Sequence, residues 1–191
     1  YFSKISTYDK FDAIKYKIKY LPNFYIKISN KKIICNQDIY TIMSDESRFN
    51  FLERIAKELK KSNVIYKFIL VLKKKDQLTS NLIFLQNNFI PIDDMFQEFL
   101  KSKVILEIQR PENNGYTFRT FDCIGMKKKL ITNNKEIINE DFYNPNNILV
   151  IDEDNIDIPK EFIDSPYEEL PKEIYEKYSL ENWIKQLLEI R

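Results

Sequence analysis

The chain contains no histidine and only two glycines, Gly115 and Gly125. The first absence removes imidazole acid–base catalysis, the Ser-His-Asp and Cys-His nucleophile systems, and His-containing zinc sites. The second excludes the P-loop and the dinucleotide fingerprint, since both need several glycines to bring backbone against phosphate. Cysteine is equally sparse. Cys35 and Cys123 stand far apart with no Cys-x-x-Cys spacing, so both are expected as reduced thiols of an intracellular protein. No apolar run approaches the ~20 residues of a membrane span, and no signal-peptide pattern is present. Nothing in the motif content calls for a cofactor.

What remains is enough for a core. Hydrophobic residues make up 43% of 191, which argues against global disorder. The apolar residues lean towards Ile, Phe and Tyr, which suit a pleated, half-buried surface. Abundant Lys and Asn match the coding bias of an AT-rich genome, and so carry little local meaning.

Alternation of Tyr16, Ile18 and Tyr20 with lysines predicts a strand with one wet face. Asn30-Lys31 reads as a hairpin turn between Tyr25–Ser29 and Lys32–Cys35. Phe49, Leu52, Ala56 and Leu59 fall on one helical stripe after a Ser44 or Asp45 cap, and Lys57, Lys60 and Lys61 close that helix. "VIYKFILVLKK" (64–74) is a strand. Leu82–Gln86 and Phe89–Ile92 are expected to pair across Asn87-Asn88. Asp94 with Gln97 suggests a capping box for a short helix that buries Phe96, Phe99 and Leu100. Val104, Leu106 and Ile108 line a further strand. Tyr116–Cys123 is predicted as a strand, and Lys129–Thr132 as one that pairs with Lys135–Ile138. Ile148–Ile151 adds one more.

From Val64 the expected order is three strands, a short helix, then two strands. Over residues 63–132 this order resembles the oligonucleotide/oligosaccharide-binding (OB) fold, a five-stranded barrel with a helix between its third and fourth strands. Telomere- and telomerase-associated OB proteins share that plan. The resemblance implies an α+β, mainly antiparallel architecture with flanking amphipathic helices. A generic α+β sheet-and-helix domain is the alternative. The expected division is residues 1–62 as N-terminal strands and helix, 63–147 as the OB-like body, and 148–191 as an acidic segment with a C-terminal helix.

Charge is asymmetric. Residues 1–135 hold 25 Lys+Arg and 14 Asp+Glu, whereas residues 136–191 hold 5 and 15. The acidic segment can fold back on the basic body, or the body can meet phosphate, or both can meet protein neighbours. Under the OB resemblance, Lys73, Lys74, Lys75, Tyr116, Arg119, Lys127, Lys128 and Lys129 become candidate contacts to single-stranded DNA or RNA. At the C-terminus Leu180, Trp183, Ile184, Leu187 and Leu188 form an apolar stripe behind a Ser179 cap. That stripe is a candidate protein interface. It docks either on this chain or in a partner's groove, with Trp183 as anchor.

One enzymatic arrangement competes. Asp93 or Asp94 with Glu107 could hold a divalent metal as restriction-type nucleases do, but Gln109 stands where those enzymes carry lysine. "DEDNID" (152–157) lacks the central glycine of a calcium loop. The expected function is therefore a non-catalytic accessory or scaffold subunit that binds other proteins in a larger assembly. A single-strand nucleic-acid-binding OB domain is the alternative, and a metal nuclease the third.

Overall fold

A computed structural model describes residues 5–28, 33–72, 78–110 and 115–190. In chain order the elements begin with β1 (Ser6–Thr7), α1 (Lys10–Tyr16), β2 (Lys19–Tyr20), β3 (Gln37–Ser44) and α2 (Phe49–Lys61). Then come β4 (Tyr66–Val71), β5 (Phe84–Gln86), α3 (Ile92–Leu100), β6 (Ser102–Glu107), α4 (Phe118–Met126) and β7 (Lys129–Thr132). The last are β8 (Ile148–Val150), α5 (Lys160–Asp164), α6 (Lys172–Lys177) and α7 (Leu180–Leu188). The chain divides into two compact units. One holds residues 31–108 and 128–168, the other residues 1–30, 109–127 and 169–191.

The first unit is built on a six-stranded sheet of order β5-β4-β3-β6-β7-β8, and every pair in it is parallel. Parallel strands need crossovers rather than tight turns. α2 supplies the one between β3 and β4 and α3 the one between β5 and β6, and they pack on opposite faces. Ile39 belongs to the apolar cluster that takes in Leu52, Ile55 and Leu59 of α2. Its neighbour Tyr40 points the other way and meets Phe99 of α3 edge-on, with ring centroids 5.7 Å apart. This is the strand alternation that a sheet wound on both sides requires. Ile163 of α5 joins the α2 side of the core.

The second unit is thinner. β1, α1 and β2 make a small parallel β-α-β unit, with Ser6 opposite Lys19 and Thr7 opposite Tyr20. Asp9 starts α1 by accepting from the N–H groups of Phe11 and Asp12, and Lys17 ends it in the left-handed region at φ 52°. Tyr25 is the buried centre of this unit. Its N–H donates to Tyr178 O and its carbonyl accepts from Leu180 N–H, while its ring packs so close to Gly125 that an added Cβ there would lie 2.5 Å from Cδ2.

This architecture overturns the OB-like, mainly antiparallel expectation. The physical reason is that buried parallel strands read as continuous apolar runs, with no alternation to reveal direction. Lys129–Thr132 is a strand, but it pairs with β6 and β8 and not with Lys135–Ile138, which forms a 3-10 turn. Tyr116–Cys123 is not a strand: Thr117 caps α4 by accepting from Arg119 N–H. The Tyr16–Tyr20 alternation covers the end of α1 and the short β2. Phe89–Ile92 does not return as a strand, because α3 starts at Ile92 behind Pro91. Asp94 is not the cap; with Asp93 it occupies the first turn of α3, where a carboxylate suits the helix dipole. Phe99 is fully buried as expected, whereas Phe96 and Leu100 are half-buried. The Asn30-Lys31 turn lies outside the described residues.

Candidate functional site

In a doubly wound sheet, neighbouring crossovers leave in opposite directions at one point of the strand order, and a crevice opens beyond the carboxyl ends of the two strands there. Renumbered from its first strand, the present sheet reads 3-2-1-4-5-6, so that point lies between β3 and β6. The pairing shows the opening directly. β3 stays paired with β4 to its last residue, Ser44 opposite Val71. On its other side, pairing with β6 stops at Tyr40 opposite Ile105, although both strands continue.

Two side chains bridge the diverging strands. Thr41, fully buried, donates through Oγ1 to Leu106 O at 2.6 Å. Arg48, half-buried at the start of α2, donates through Nη1 to Ile108 O at 2.9 Å. Between them the chain turns at Asp45, which adopts φ 92°, a rare left-handed conformation for a non-glycine residue. Its carboxylate accepts from Ser47 N–H at 3.0 Å and so fixes the turn. The 3-10 turn Glu46–Arg48 runs directly into α2, so this carboxylate caps the helical segment. Glu107, at the end of β6, is buried. On the next strand Thr132 is buried and its Oγ1 accepts from Asn134 N–H at 3.2 Å. Thr41, Ser44, Arg48, Glu107 and Thr132 thus stand at or near the carboxyl edge of adjacent strands.

The turn "SDES" that joins β3 to α2 has no glycine and carries Asp45 and Glu46. It cannot wrap a pyrophosphate as a glycine-rich dinucleotide loop does. Neither described glycine lies in the sheet unit.

The residues singled out for nucleic acid are not gathered into a solvated patch. Tyr116 is buried. Arg119 is half-buried in the first turn of α4. Lys127 ends α4 at φ 54° and pairs with Glu169 at 2.7 Å. Lys128 donates to Leu100 O at 2.8 Å and Ser102 O at 2.6 Å. Lys129 is buried and donates to Phe162 O and Ser165 Oγ. Burial holds its ammonium below the ordinary lysine range. Lys73, Lys74 and Lys75 lie outside the described residues.

The metal arrangement is not assembled either. Asp93 and Asp94 sit on α3 and Glu107 at the end of β6. Among the described residues no group of three or more His, Cys, Asp or Glu side chains is placed to hold an ion. Cys35 and Cys123 are both free thiols. No described helix is long and apolar enough to cross a membrane.

Much of the charge asymmetry is consumed inside each unit. Lys103 bonds Asp164 at 2.7 Å and Asp38 at 2.8 Å; these two carboxylates push its ammonium up to about 12. Lys135 pairs with Asp152 at 3.0 Å, and Lys27 pairs with Glu176 at 2.7 Å. At Glu98 burial pushes the carboxyl up, but bonds from Lys67 at 2.7 Å and Lys101 at 3.0 Å outweigh it and hold it below the ordinary range.

The C-terminal stripe divides along its length. Ser179 caps α7 by accepting from Asn182 N–H. Trp183 is half-buried, donates from Nε1 to Pro22 O at 2.9 Å and lies with its ring 4.8 Å from that of Phe24. Leu180 is half-buried, whereas Ile184, Leu187 and Leu188 are exposed.

No family model and no curated protein matches the chain. Among solved structures it is similar to the crystal structure of TarM, with TM-score 0.61 and 14% identity over 97% of this chain. The chain spans 43% of the length of TarM. At that identity the likeness concerns the fold, and it agrees with the parallel sheet. The OB resemblance is therefore withdrawn. The non-catalytic scaffold, the single-strand nucleic-acid binder and the metal nuclease are withdrawn as well. The first rested on the lack of a catalytic motif and on the C-terminal apolar stripe, the second on the barrel, and the third on a carboxylate grouping that the fold does not make.

Proposed function

We propose that the chain is a catalytic part of a transferase that acts on a nucleotide-activated donor, of the glycosyltransferase kind. The observation that carries this reading is the all-parallel 3-2-1-4-5-6 sheet with its strands parting at the switch point. That position is where such folds take nucleotides. The similarity to TarM, a glycosyltransferase, supports it.

The chemistry fits the residues present. Transfer from a nucleoside-diphosphate sugar forms a bond between an acceptor hydroxyl oxygen and the anomeric carbon and breaks that carbon's bond to the phosphate oxygen; the hydroxyl proton passes to a base or to the departing diphosphate, on which negative charge develops. Positive charge or preorganised donors near that oxygen lower the barrier. Arg48 stands at the β3 side of the crevice, at the end of the 3-10 turn that leads into α2. Glu107 stands at the end of β6. The acidic, glycine-free turn cannot cradle a diphosphate through its backbone, so on this reading the positive charge comes from Arg48.

A panel of nucleoside diphosphates, nucleotide sugars and NAD, scored by the shift in melting temperature, tests the reading. A ligand present at a hundred times its Kd raises stability by about 2.7 kcal/mol. One diphosphate nucleotide and its sugar are expected to stabilise the protein, and NAD is not. A panel in which no nucleotide shifts the melting temperature, or in which only NAD does, would contradict it.

A further inference from the structure

α2 turns its apolar stripe into the core and carries Glu53, Arg54, Lys57 and Lys60 away from it. Lys61 pairs with Glu58 at 2.7 Å. Among the described residues no ion pair engages Glu53, Lys57 or Lys60. Facing them are residues 79–82, in the crossover from β4 to β5. A parallel crossover is usually an α-helix, whereas residues 78–83 of this one are not helical. Between this segment and α2 lies a cleft of about 640 Å³, within the roughly 300–1,000 Å³ of small-molecule sites. Both walls belong to the sheet unit.

Local hydrogen bonds set the walls. Ser80 Oγ accepts from Leu82 N–H at 3.0 Å and Ile83 N–H at 3.1 Å. Both of its lone pairs are thereby engaged, and its O–H remains as a donor. Arg54 donates through Nη2 to Glu153 O, so a third segment holds the guanidinium at the cleft. The charge in the cleft selects a ligand. Three cations and one carboxylate leave two positive charges, and a phosphate monoester carries about −1.5 to −2 at pH 7. Glu53 repels bare phosphate but accepts hydrogen bonds from hydroxyl groups, as do Thr79 and the Asn81 carboxamide. The lining thus calls for a phosphate and for hydroxyls on one small molecule. We propose that this cleft binds a sugar phosphate monoester. Its phosphate pairs with Arg54, Lys57 and Lys60, and its hydroxyls bond to Glu53, Thr79 and Asn81. The cleft shares no residue with the crevice between β3 and β6, so the inference stands apart from the nucleotide reading.

Backbone amide NMR of the protein tests this, with glucose 6-phosphate, ribose 5-phosphate, glucose and inorganic phosphate as the titrants. At least one sugar phosphate is expected to give saturable shifts at residues 53–60 and 79–82. Glucose should give none, and inorganic phosphate should bind more weakly than the ester. Lys57→Gln/Lys60→Gln should weaken the sugar phosphate about tenfold or more, since two charge-assisted bonds are lost. Lys160→Gln/Lys172→Gln removes two exposed lysines elsewhere and should change the affinity by about twofold at most, because distant surface charges are screened. All four lysines are exposed, and the amide spectrum itself reports whether each variant is folded. No saturable shift, equal affinity for inorganic phosphate, or equal losses in the two variants would overturn the inference. So would tighter binding of an oligothymidylate at the same residues. Shifts confined to residues 41–49 and 105–108 would overturn it too, and leave the nucleotide reading standing.

Discussion

The two units solve the same problem with unequal resources. The sheet unit carries six parallel strands, and the inner ones are buried between helices. Its central strands are closed on both faces, with Ile39, Tyr40, Phe68, Val104 and Leu106 fully buried. The smaller unit has two-residue strands, a crossover helix without a buried residue, and a centre built on Tyr25, Phe121 and Tyr178. The two units draw their order from different sources. In the first, order comes from apolar area removed from water. In the second, it leans on individual hydrogen bonds and ring contacts, such as Tyr25 Oη donating to Tyr175 O at 2.9 Å and the Phe121–Tyr178 ring pair at 5.3 Å.

Substitutions should separate the two sources. The largest effect is expected in the sheet unit. Phe99→Ala empties a fully buried site between Tyr40 and Phe96 and should cost about 3–5 kcal/mol in denaturant unfolding. In the smaller unit the sensitive change is an addition. Gly125→Ala drives a methyl into the buried Tyr25 ring and should cost about 1–3 kcal/mol by overpacking. A loss near zero there would mean that Tyr25 is not held as described.

Smaller again is the effect of a single hydrogen bond. Trp183→Phe keeps the ring on Phe24 but leaves Pro22 O without its indole donor, so about 1 kcal/mol is expected. A loss of several kcal/mol would show that α7 depends on this bond far more than its geometry indicates.

The smallest effect is visible only through pH. The Lys103 ammonium is held up to about 12 by Asp164 and Asp38, above its unfolded value of about 10.4. Its contribution is therefore fully present below the unfolded pKa and disappears as pH rises through the folded one. The stability difference between wild type and Lys103→Met should be flat from neutrality to about pH 10 and shrink above that. At Glu98 the sign is opposite. Its folded pKa is depressed, so its contribution is present above the ordinary glutamate pKa and is lost on acidification. A wild-type minus Lys103→Met difference that grows above pH 10 would refute the Lys103 assignment.

The elements themselves were largely legible in the sequence. α2, α7 and the strands expected at 64–74, 82–86, 104–108, 129–132 and 148–151 follow from periodicity and caps, and among the described residues the structure has an element in each, β4 at Tyr66–Val71 in the first. Their directions were not legible. A run such as "KFILV" is equally apolar whether its neighbour is parallel or antiparallel, and Asn87-Asn88 and Asn133-Asn134 serve crossover loops as readily as hairpins. Reading those pairs as turns made the pairing local and the sheet a barrel. α4 was lost because Tyr116, Phe118 and Phe121 suit a strand, while the signal for a helix was a single residue, the Thr117 cap. The candidate site was the least legible part. Thr41 and Arg48 are ordinary in sequence, and they become neighbours of Leu106 and Ile108 only once β3 and β6 lie side by side. The lysine runs were conspicuous, yet Lys128 and Lys129 are spent on backbone carbonyls within the fold.

The proposed nucleotide site lies where β3 and β6 part. Backbone amide NMR of the protein titrated with the best nucleoside diphosphate from the panel tests this most directly. Saturable shifts are expected at residues 41–49 and 105–108, with Phe84–Gln86 at the far edge of the sheet unmoved. Shifts that cluster elsewhere and leave Thr41, Arg48 and Glu107 in place would contradict it.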